Sequence, residues 1–123
     1  MPRKTTTKSA PASTRRSPCP VACGLDLFGD KWTLLIIRDL VLGRSRFKDF
    51  IESPEGIPTN ILSDRLERLR DGGVVEQIPA ADGGKRLAYQ LTDKGLALRP
   101  VLRAIRDWGL KGEPGTRANL EGA

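Results

Sequence analysis

The sequence predicts a mainly helical α+β domain, in which several short helices precede one two-stranded β-hairpin and a final helical region follows it. Between residues 59 and 71, large apolar side chains recur at helical spacing and leave the opposite face polar. Between residues 74 and 91, two short apolar stretches flank an Asp-Gly-Gly turn, which is typical of a hairpin. A chain of 123 residues with 38% hydrophobic content suits one compact domain.

The net charge of +6 lies mostly at the amino terminus. Residues 1–17 carry five basic side chains, no acid and almost no large apolar group, so we expect a disordered basic tail there. The folded domain is expected over residues 18–112, with a flexible C-terminal tail over 113–123. The basic tail either adds sequence-independent attraction to phosphates or only keeps the protein soluble.

Composition excludes several classes of protein. No apolar run approaches the roughly 18 residues of a membrane span and no signal-peptide pattern is found, so we expect a cytoplasmic protein without membrane contacts. Two cysteines are too few for the disulfide framework of a small secreted domain. With no histidine, a zinc site is not expected, and the nucleophile and phosphate-loop motifs of enzymes are absent from the sequence.

Two helices are predicted before residue 43. The first follows Pro20 and is too short to be stable unless it docks on another element. Its apolar side chains are Val21, Ala22, Leu25 and Phe28. The second is capped by Asp30 and runs from Lys31 to Leu42. It is apolar on nearly all sides, which indicates a central buried helix that contributes no chemistry.

A pair of helices joined by a tight turn is predicted over residues 46–73. Ser45 is the expected cap of the first helix of this pair. Its inward side chains are Phe47, Phe50 and Ile51. Arg44, Arg46 and Lys48 lie near its start, where cations gain nothing from the helix dipole. All three are therefore candidate phosphate contacts, although scattered surface charge explains them nearly as well.

The second helix of the pair opens at Pro58 or Thr59 and ends at Gly72-Gly73, where glycine tolerates the left-handed conformation that ends helices. Its buried stripe is Ile61, Leu62, Leu66 and Leu69. Its exposed face carries Asn60, Ser63, Asp64, Glu67 and Arg70, with Thr59 and Arg68 at the flanks. Short polar side chains at the leading end suit a DNA major groove, because they let the backbone approach the bases. The alternative interpretation is a solvated face on an ordinary core helix.

Specific DNA contacts can be assigned on this second helix. The candidates for bases and backbone are Thr59, Asn60 and Ser63. We expect Arg65 to reach a phosphate from the edge of the buried stripe, or else only to lie over Leu62 and Leu69. Asp64 is expected to pair with Arg68 one turn later.

The predicted hairpin has strands at residues 74–78 and 86–91 around a turn at 82–84. The side chains expected to alternate inward on the second strand are Leu87, Tyr89 and Leu91. Lys85 and Arg86 lie beside the tip, where a mobile projection can place cations along a DNA backbone or in a minor groove. A plain surface hairpin carries the same glycines, so the tip alone does not decide its role.

Thr92 is the expected cap of a final helical region. The long apolar seam of this region consists of Leu98, Val101, Leu102, Ile105 and Trp108. Pro100 lies inside the seam and is expected to kink the helix or divide it in two, because proline lacks an N–H group and clashes with the preceding turn.

Three helices, a turn, a fourth helix, a hairpin and a last helix follow one another as in a winged helix-turn-helix, whose wing is the hairpin. The chain resembles the HxlR-type branch of winged-helix transcriptional regulators, which are relatives of the MarR regulators. Four segments carry the resemblance in register, together with a late Trp108: CPVACGLDLFGDKWTLLIIRDL at 19–40, GRSRFKDF at 43–50, GIPTNILSDRLERLRDGGVV at 56–75 and RLAYQLTDKGLAL at 86–98.

The resemblance implies a homodimeric transcription factor that binds double-stranded DNA, has no enzymatic activity and needs no cofactor. In this family the terminal helices form the dimer, which would assign to a partner subunit the side chains Val21, Leu25, Phe28, Leu98, Val101, Leu102, Ile105 and Trp108. Two recognition helices related by a twofold axis would enter successive major grooves about 34 Å apart, so the operator should be a pseudo-palindrome. The identity of any small-molecule effector stays open.

Cys19-Pro20 matches a position at which members of that family often carry a cysteine that responds to oxidants or electrophiles. Helix starts favour the reactive thiolate, so Cys19 is a candidate redox sensor with Cys23 as its partner thiol. The alternative is two small, reduced and partly buried cysteines. Two further function classes are kept open: a winged-helix module that binds protein, and a nonspecific DNA-binding protein that relies on its tail.

Overall fold

The computed structural model of the protein describes residues 15–80 and 87–117. Within them the chain forms helices α1 (Pro20–Phe28), α2 (Thr33–Val41), α3 (Phe47–Ile51) and α4 (Thr59–Asp71), strands β1 (Val75–Pro79) and β2 (Leu87–Leu91), and helices α5 (Asp93–Leu96) and α6 (Arg99–Gly112). This order confirms the predicted mainly helical α+β fold with one two-stranded hairpin. No helix in the two described ranges is long and apolar enough to cross a membrane.

The two predicted tails lie largely outside the described residues. Of the N-terminal tail predicted over 1–17, only residues 15–17 are described, and there the Nε of Arg16 donates to Asp26 of α1 at 2.5 Å. Of the C-terminal tail predicted over 113–123, residues 113–117 are described and follow α6.

The hydrophobic core orients α4. Leu62 and Leu69 are 0% exposed and Leu66 is 2% exposed, so three residues of the predicted stripe of α4 are buried, and the fourth, Ile61, is half-buried against the same core. Phe50 of α3 is 1% exposed and meets Tyr89 of β2 edge to face, with ring centroids 6.3 Å apart. Because burial of these side chains is the main gain in folding, α4 must turn its polar face outward.

Helix α2 is the central helix of this core, where Ile36 and Ile37 are 2% and 0% exposed. It begins at Thr33, two residues later than predicted. The predicted cap explains the delay, because one carboxylate oxygen of Asp30 accepts the N–H groups of both Trp32 and Thr33 and holds these residues in a turn.

The predicted cap of α3 is wrong. Helix α3 begins at Phe47, and the carboxylate of Asp49 accepts the backbone N–H of Arg46 at 3.0 Å and that of Ser45 at 3.2 Å. The bond from Arg46 outweighs partial burial and holds the pKa of Asp49 below its usual value. A carboxylate is a stronger acceptor than the Ser45 hydroxyl, so the capping side chain comes from inside the first turn.

The wing is an antiparallel hairpin in which all five residues of β1 pair with β2. The segment before α3 lies along the other edge of β2, where Arg46 forms a bridge with Ala88. Of the three side chains predicted to face inward, Tyr89 and Leu91 pack against the core, but Leu87 is 49% exposed. This prediction is therefore wrong at Leu87.

The helix ends after α3 follow the predicted chemistry. Helix α4 ends at Asp71 with Gly72 as its C-cap, and the next residue, Gly73, takes a φ of +76°. The hydroxyl of Thr92 accepts the N–H of Gly95 at 3.2 Å and so caps α5. Pro100 lies in the first turn of α6, so the final helical region is divided in two, as predicted.

Helices α1 and α6 bury their apolar faces only in part. On α1, Val21 and Leu25 are 68% and 50% exposed, and on α6, Ile105 and Trp108 are 50% and 71% exposed. Leu102 is different, because the turn of α6 that carries it packs into the core and leaves it 6% exposed. Its predicted place at a partner interface is therefore corrected: Leu102 belongs to the core of its own chain.

Candidate nucleic-acid interface

The exposed face of α4 starts with small polar side chains. Thr59, Asn60 and Ser63 are all exposed, whereas Leu62 beside them is 0% exposed. The helix follows Pro58, whose extended backbone ends the preceding turn and sets the first helical residue. Two hydroxyls and one amide thus form the leading polar edge of α4, and such groups can hydrogen-bond base edges or phosphates.

A buried carboxylate of α2 holds the turn that leads into α4. Asp39 is 2% exposed, and its Oδ1 accepts from Arg38 at 2.9 Å and from Arg44 at 2.8 Å. Its Oδ2 accepts the hydroxyl of Ser53. Arg38 also donates through both terminal nitrogens to Glu55, at 2.8 Å each. Since Ser53 and Glu55 lie between α3 and α4, these bonds tie the turn of the helix pair to α2.

The charges around Asp39 stabilise one another. Hydrogen bonds from Arg38 outweigh partial burial and hold the pKa of Glu55 below its usual value. The bonds to Glu55 and then to Asp39 outweigh desolvation and raise the pKa of Arg38 above its usual value. The prediction that α2 contributes no chemistry is therefore wrong. An acidic residue inside an apolar helix was the available signal, because a carboxylate is buried only where donors meet it.

The guanidinium of Arg65 is bound by two carboxylates of its own chain. Its Nε donates to Asp30 at 2.9 Å, and its Nη1 donates to Asp64. Asp64 thus pairs with its neighbour Arg65 and not, as predicted, with Arg68. Arg68 instead donates to the backbone carbonyl of Asp26 in α1 at 3.3 Å. Arg65 and Arg68 therefore reach back toward the start of α2 and α1, respectively.

The predicted phosphate contacts fall into two groups. Arg46 and Lys48 lie at the start of α3, where Arg46 is half-buried and Lys48 is exposed. Helix α3 packs on α4, and Arg46 itself bridges to β2 of the wing. Arg44, the third cation predicted there, is instead paired with the buried carboxylate of α2. Lys85 and Arg86 of the wing tip lie outside the described residues.

The two cysteines lie at the start of α1. Cys19 is exposed directly before the helix, and Cys23 is half-buried one turn later, with its Sγ donating to the carbonyl of Ser17 at 3.5 Å. Both are free thiols, and Cys23 lines a groove of about 580 Å³ between α1 and the end of α4. In the part of the chain that the structure describes, no cluster of side chains suits a metal ion.

These elements define the class of protein. Helices α3 and α4 with their turn form a helix-turn-helix, β1 and β2 form the wing that follows it, and α4 presents a polar leading edge. The molecule is a winged helix-turn-helix protein, as the sequence predicted.

The particular family follows from comparison with known proteins. The model of the HxlR-like helix-turn-helix family matches residues 27–114, and the chain belongs to this family. The HTH-type transcriptional regulator YdeP of Bacillus subtilis (strain 168) is 32% identical over 93 residues, covering 76% of this chain and 73% of YdeP. YodB of the same organism, also an HTH-type transcriptional regulator, is 33% identical over 91 residues, covering 73% of this chain and 81% of YodB.

Solved structures share the fold. The crystal structure of PA1607 is 44% identical with a TM-score of 0.77, covering 86% of this chain and 75% of that one. The reduced form of YodB from B. subtilis is 32% identical with a TM-score of 0.66, and the match covers 81% of this chain and 100% of the YodB chain. The oxidised form of the redox regulator HypR is 27% identical with a TM-score of 0.69, and the match covers 81% of this chain and 99% of the HypR chain. The family is one of DNA-binding transcriptional regulators and not of enzymes. This confirms two predictions, that the chain belongs to a family of transcriptional regulators and that it is not an enzyme.

Proposed function

We propose that the chain regulates transcription as a homodimer that binds a pseudo-palindromic operator in double-stranded DNA. The observation that carries this proposal is the exposed polar start of α4, opposite an apolar stripe that the chain itself buries. A helix with a saturated apolar side and short leading polar side chains has the surface that a major groove accepts. Such a regulator acts on chromosomal DNA, and hence at the nucleoid.

Asn60 is the proposed base-reading residue, because a side-chain amide matches the donor and acceptor edge of adenine in the major groove. Thr59 and Ser63 flank it, and their hydroxyls suit phosphates or base edges. The two acidic side chains on the same face differ in how strongly they would repel the DNA phosphates. Asp64 is paired with Arg65, and Glu67 lies one turn farther from the leading end.

Cations outside α4 are proposed to contact the DNA backbone. Arg46 and Lys48 would do so from the start of α3, and Lys85 and Arg86 from the wing tip. Contacts of this kind release counterions from any sequence, so they add affinity that salt weakens and that carries no specificity. The basic residues of the N-terminal tail would add to the same effect.

A second copy of the chain is the proposed occupant of the exposed apolar surface of α1 and α6. Four side chains on these helices are 50–71% exposed, namely Val21, Leu25, Ile105 and Trp108. The other candidates for this interface are half-buried, namely Phe28, Leu98 and Val101. Exposed apolar side chains on these two helices favour self-association, and a twofold dimer would present two copies of α4 to one duplex.

Thiol chemistry at Cys19 is the proposed control of operator binding. Two relatives of known structure support it: YodB has been solved reduced, quinone-bound and diamide-treated, and HypR is a redox regulator solved reduced and oxidised. Cys19 is exposed at the start of α1, one of the two helices proposed to form the dimer. The effectors would be oxidants or thiol-reactive electrophiles, with Cys23 as the second thiol.

Selection of duplexes from random DNA by the purified chain tests the proposal. We expect a pseudo-palindromic duplex that binds more tightly than a scrambled duplex of equal length. Asn60→Ala is expected to weaken the selected duplex by about 1–3 kcal/mol and to leave the scrambled duplex unchanged. Equal losses on both duplexes would contradict base reading by Asn60, and enrichment of no sequence would contradict operator binding altogether.

Two further measurements separate the remaining alternatives. Removal of residues 1–17 is expected to preserve the preference for the selected duplex, whereas loss of all binding would point to a nonspecific protein that relies on its tail. Diamide is expected to change operator binding by the wild type, reversibly with reductant, and to leave Cys19→Ser unaffected. If the wild type binds the operator equally well with diamide and with reductant, the proposed sensor role of Cys19 is wrong.

A further inference from the structure

Asp30 is a junction between two helices. Its Oδ2 accepts the N–H groups of Trp32 at 3.0 Å and Thr33 at 3.1 Å, and its Oδ1 accepts the Thr33 hydroxyl at 2.5 Å, so the carboxylate starts α2. The same Oδ2 accepts the Nε of Arg65, which lies 35 residues later in the middle of α4. One side chain therefore fixes the start of α2 and a point on the recognition helix together.

Arg65 extends this set of bonds toward the exposed face of α4. Its side chain is 18% exposed, and its Nη1 donates to Asp64, whose side chain is 54% exposed beside Ser63. A guanidinium is planar and offers its donors in a fixed fork, so the bond to Asp30 restrains the rotation of α4 about its axis, while the bond to Asp64, which lies on α4 itself, holds the guanidinium in place. Burial of the leucine stripe cannot supply this restraint alone, because apolar burial is non-directional.

We propose that Arg65 is a positioning residue for base reading, with Asp30 as its anchor, and that it makes no phosphate contact. The pair fixes the angle at which α4 presents Asn60 and Ser63 to the bases. Recognition of this kind needs side chains held within about 0.5 Å and 10–20° of the productive geometry. The inference rests on the proposed operator binding and names a device that makes such binding specific.

Salt dependence distinguishes positioning from phosphate contact. A cation on a phosphate contributes to every sequence, and its removal weakens all duplexes and lowers the salt slope by about 1. A positioning pair matters only where bases are read. Its loss therefore lowers affinity for the selected duplex and leaves both the scrambled duplex and the salt slope unchanged.

Asp30→Asn is the decisive variant, because it removes one negative charge, and by charge alone it would strengthen DNA binding. We expect it instead to bind the selected duplex about tenfold more weakly, the loss typical of one hydrogen bond to a charged group. Asp26→Asn is the matched control. It makes the same change in charge on α1, where the carboxylate pairs with Arg16 and not with α4, and it is expected to keep wild-type specificity.

Arg65→Lys is the second variant, because lysine keeps the positive charge but loses the fork of donors. It is expected to lose specificity to the same extent as Asp30→Asn, and the double variant is expected to be no weaker than either single one, since the bond between Asp30 and Arg65 is the contact through which both residues position α4. Circular dichroism at the assay temperature verifies that each variant is folded. Additive losses, or an Arg65→Gln variant that weakens both duplexes equally with a lower salt slope, would overturn the positioning role.

A measurement without DNA distinguishes a failure of the proposed operator binding from a failure of the proposed positioning role of Arg65. In the free protein, the backbone amide resonances of Asn60 and Ser63 are expected to shift in Asp30→Asn and to stay in place in Asp26→Asn. If the wild type selects no duplex, the proposed function fails while these shifts still report on the anchor. If the wild type selects a duplex that Asp30→Asn binds equally well, or if the resonances do not move, the positioning role is wrong.

Discussion

Helices α4 and α6 are both amphipathic, but only α4 finds a complete partner surface within its own chain. Leu62, Leu66 and Leu69 of α4 are at most 2% exposed. Along α6, exposure rises from 6% at Leu102 to 71% at Trp108. The leucines of α4 are thus fully packed, with Ile61 half-buried against the same core, whereas α6 is packed only near its beginning.

The difference shows which face of each helix is available for function. The apolar side of α4 is saturated, so its available chemistry is the polar leading edge, and the ion pairs of Asp30 and Asp39 fix how that edge is presented. On α6 the available chemistry is apolar, because the exposed part of its seam has no covering element in residues 15–80 and 87–117. A polar edge held rigidly suits DNA, and an uncovered apolar seam suits a second copy.

The largest expected effect comes from breaking the packed stripe of α4. Leu66→Ala leaves a cavity in the core and is expected to lower the free energy of unfolding by about 2–5 kcal/mol. The matched change on α6 is Ile105→Ala, at a position 50% exposed, and is expected to cost the protomer about 0.5 kcal/mol or less. Urea unfolding of dilute protein measures both. Equal losses would mean that α6 is packed as completely as α4.

The next largest effect distinguishes loss of dimer formation from loss of protomer stability. The two tryptophans provide a matched pair of variants for this comparison. Trp108→Ala is expected to keep the fold and to weaken the dimer by about 2 kcal/mol or more, because large exposed aromatic residues are common anchors of interfaces. Trp32 is half-buried against the core, so Trp32→Ala is expected to lower stability instead. Sedimentation velocity and thermal unfolding report the two quantities. A wild type that is monomeric at micromolar concentration would refute the proposed dimer.

The sequence predicted α4 well because the signals for that helix are local. Leucine spacing identifies the stripe, proline and glycine mark the ends, and Pro100 divides the final helical region without reference to distant residues. The small side chains at the leading edge also follow from spacing alone, since every position opposite the stripe of a helix must face outward.

Other features depended on contacts that periodicity does not encode. Asp39 is buried because Arg44 and Ser53 meet it, and the pairing of Arg65 with Asp30 joins residues that only the folded chain brings together. Periodicity also cannot predict how deeply each apolar side chain is buried. The amount of chain that covers Leu102 or Leu87 depends on how far the core extends, and that is a property of the assembled fold.

The smallest expected effect concerns the acid sensitivity of the anchor at Asp30. Desolvation alone would raise the pKa of this carboxyl, but bonds from the Thr33 hydroxyl, the Arg65 guanidinium and the Trp32 N–H outweigh it and hold the pKa well below the usual value of 3.8. A pKa lower in the folded than in the unfolded state gives stability that is present above about pH 4 and is lost as the pH falls below it.

Asp30→Asn removes that contribution, so at neutral pH it is expected to unfold about 1–2 kcal/mol more easily than the wild type, as the loss of a charge-assisted hydrogen bond requires. The difference should shrink as the pH falls below about 4, because protons then bind this carboxyl in the unfolded wild type but not in the folded one, and this favours unfolding of the wild type. Urea midpoints of both proteins across this range measure the convergence. Asp107→Asn, which removes a mostly exposed carboxylate from α6, is expected to differ little from the wild type at neutral pH. A constant gap between wild type and Asp30→Asn would show that the bonds of Asp30 to its partners do not depend on its charge.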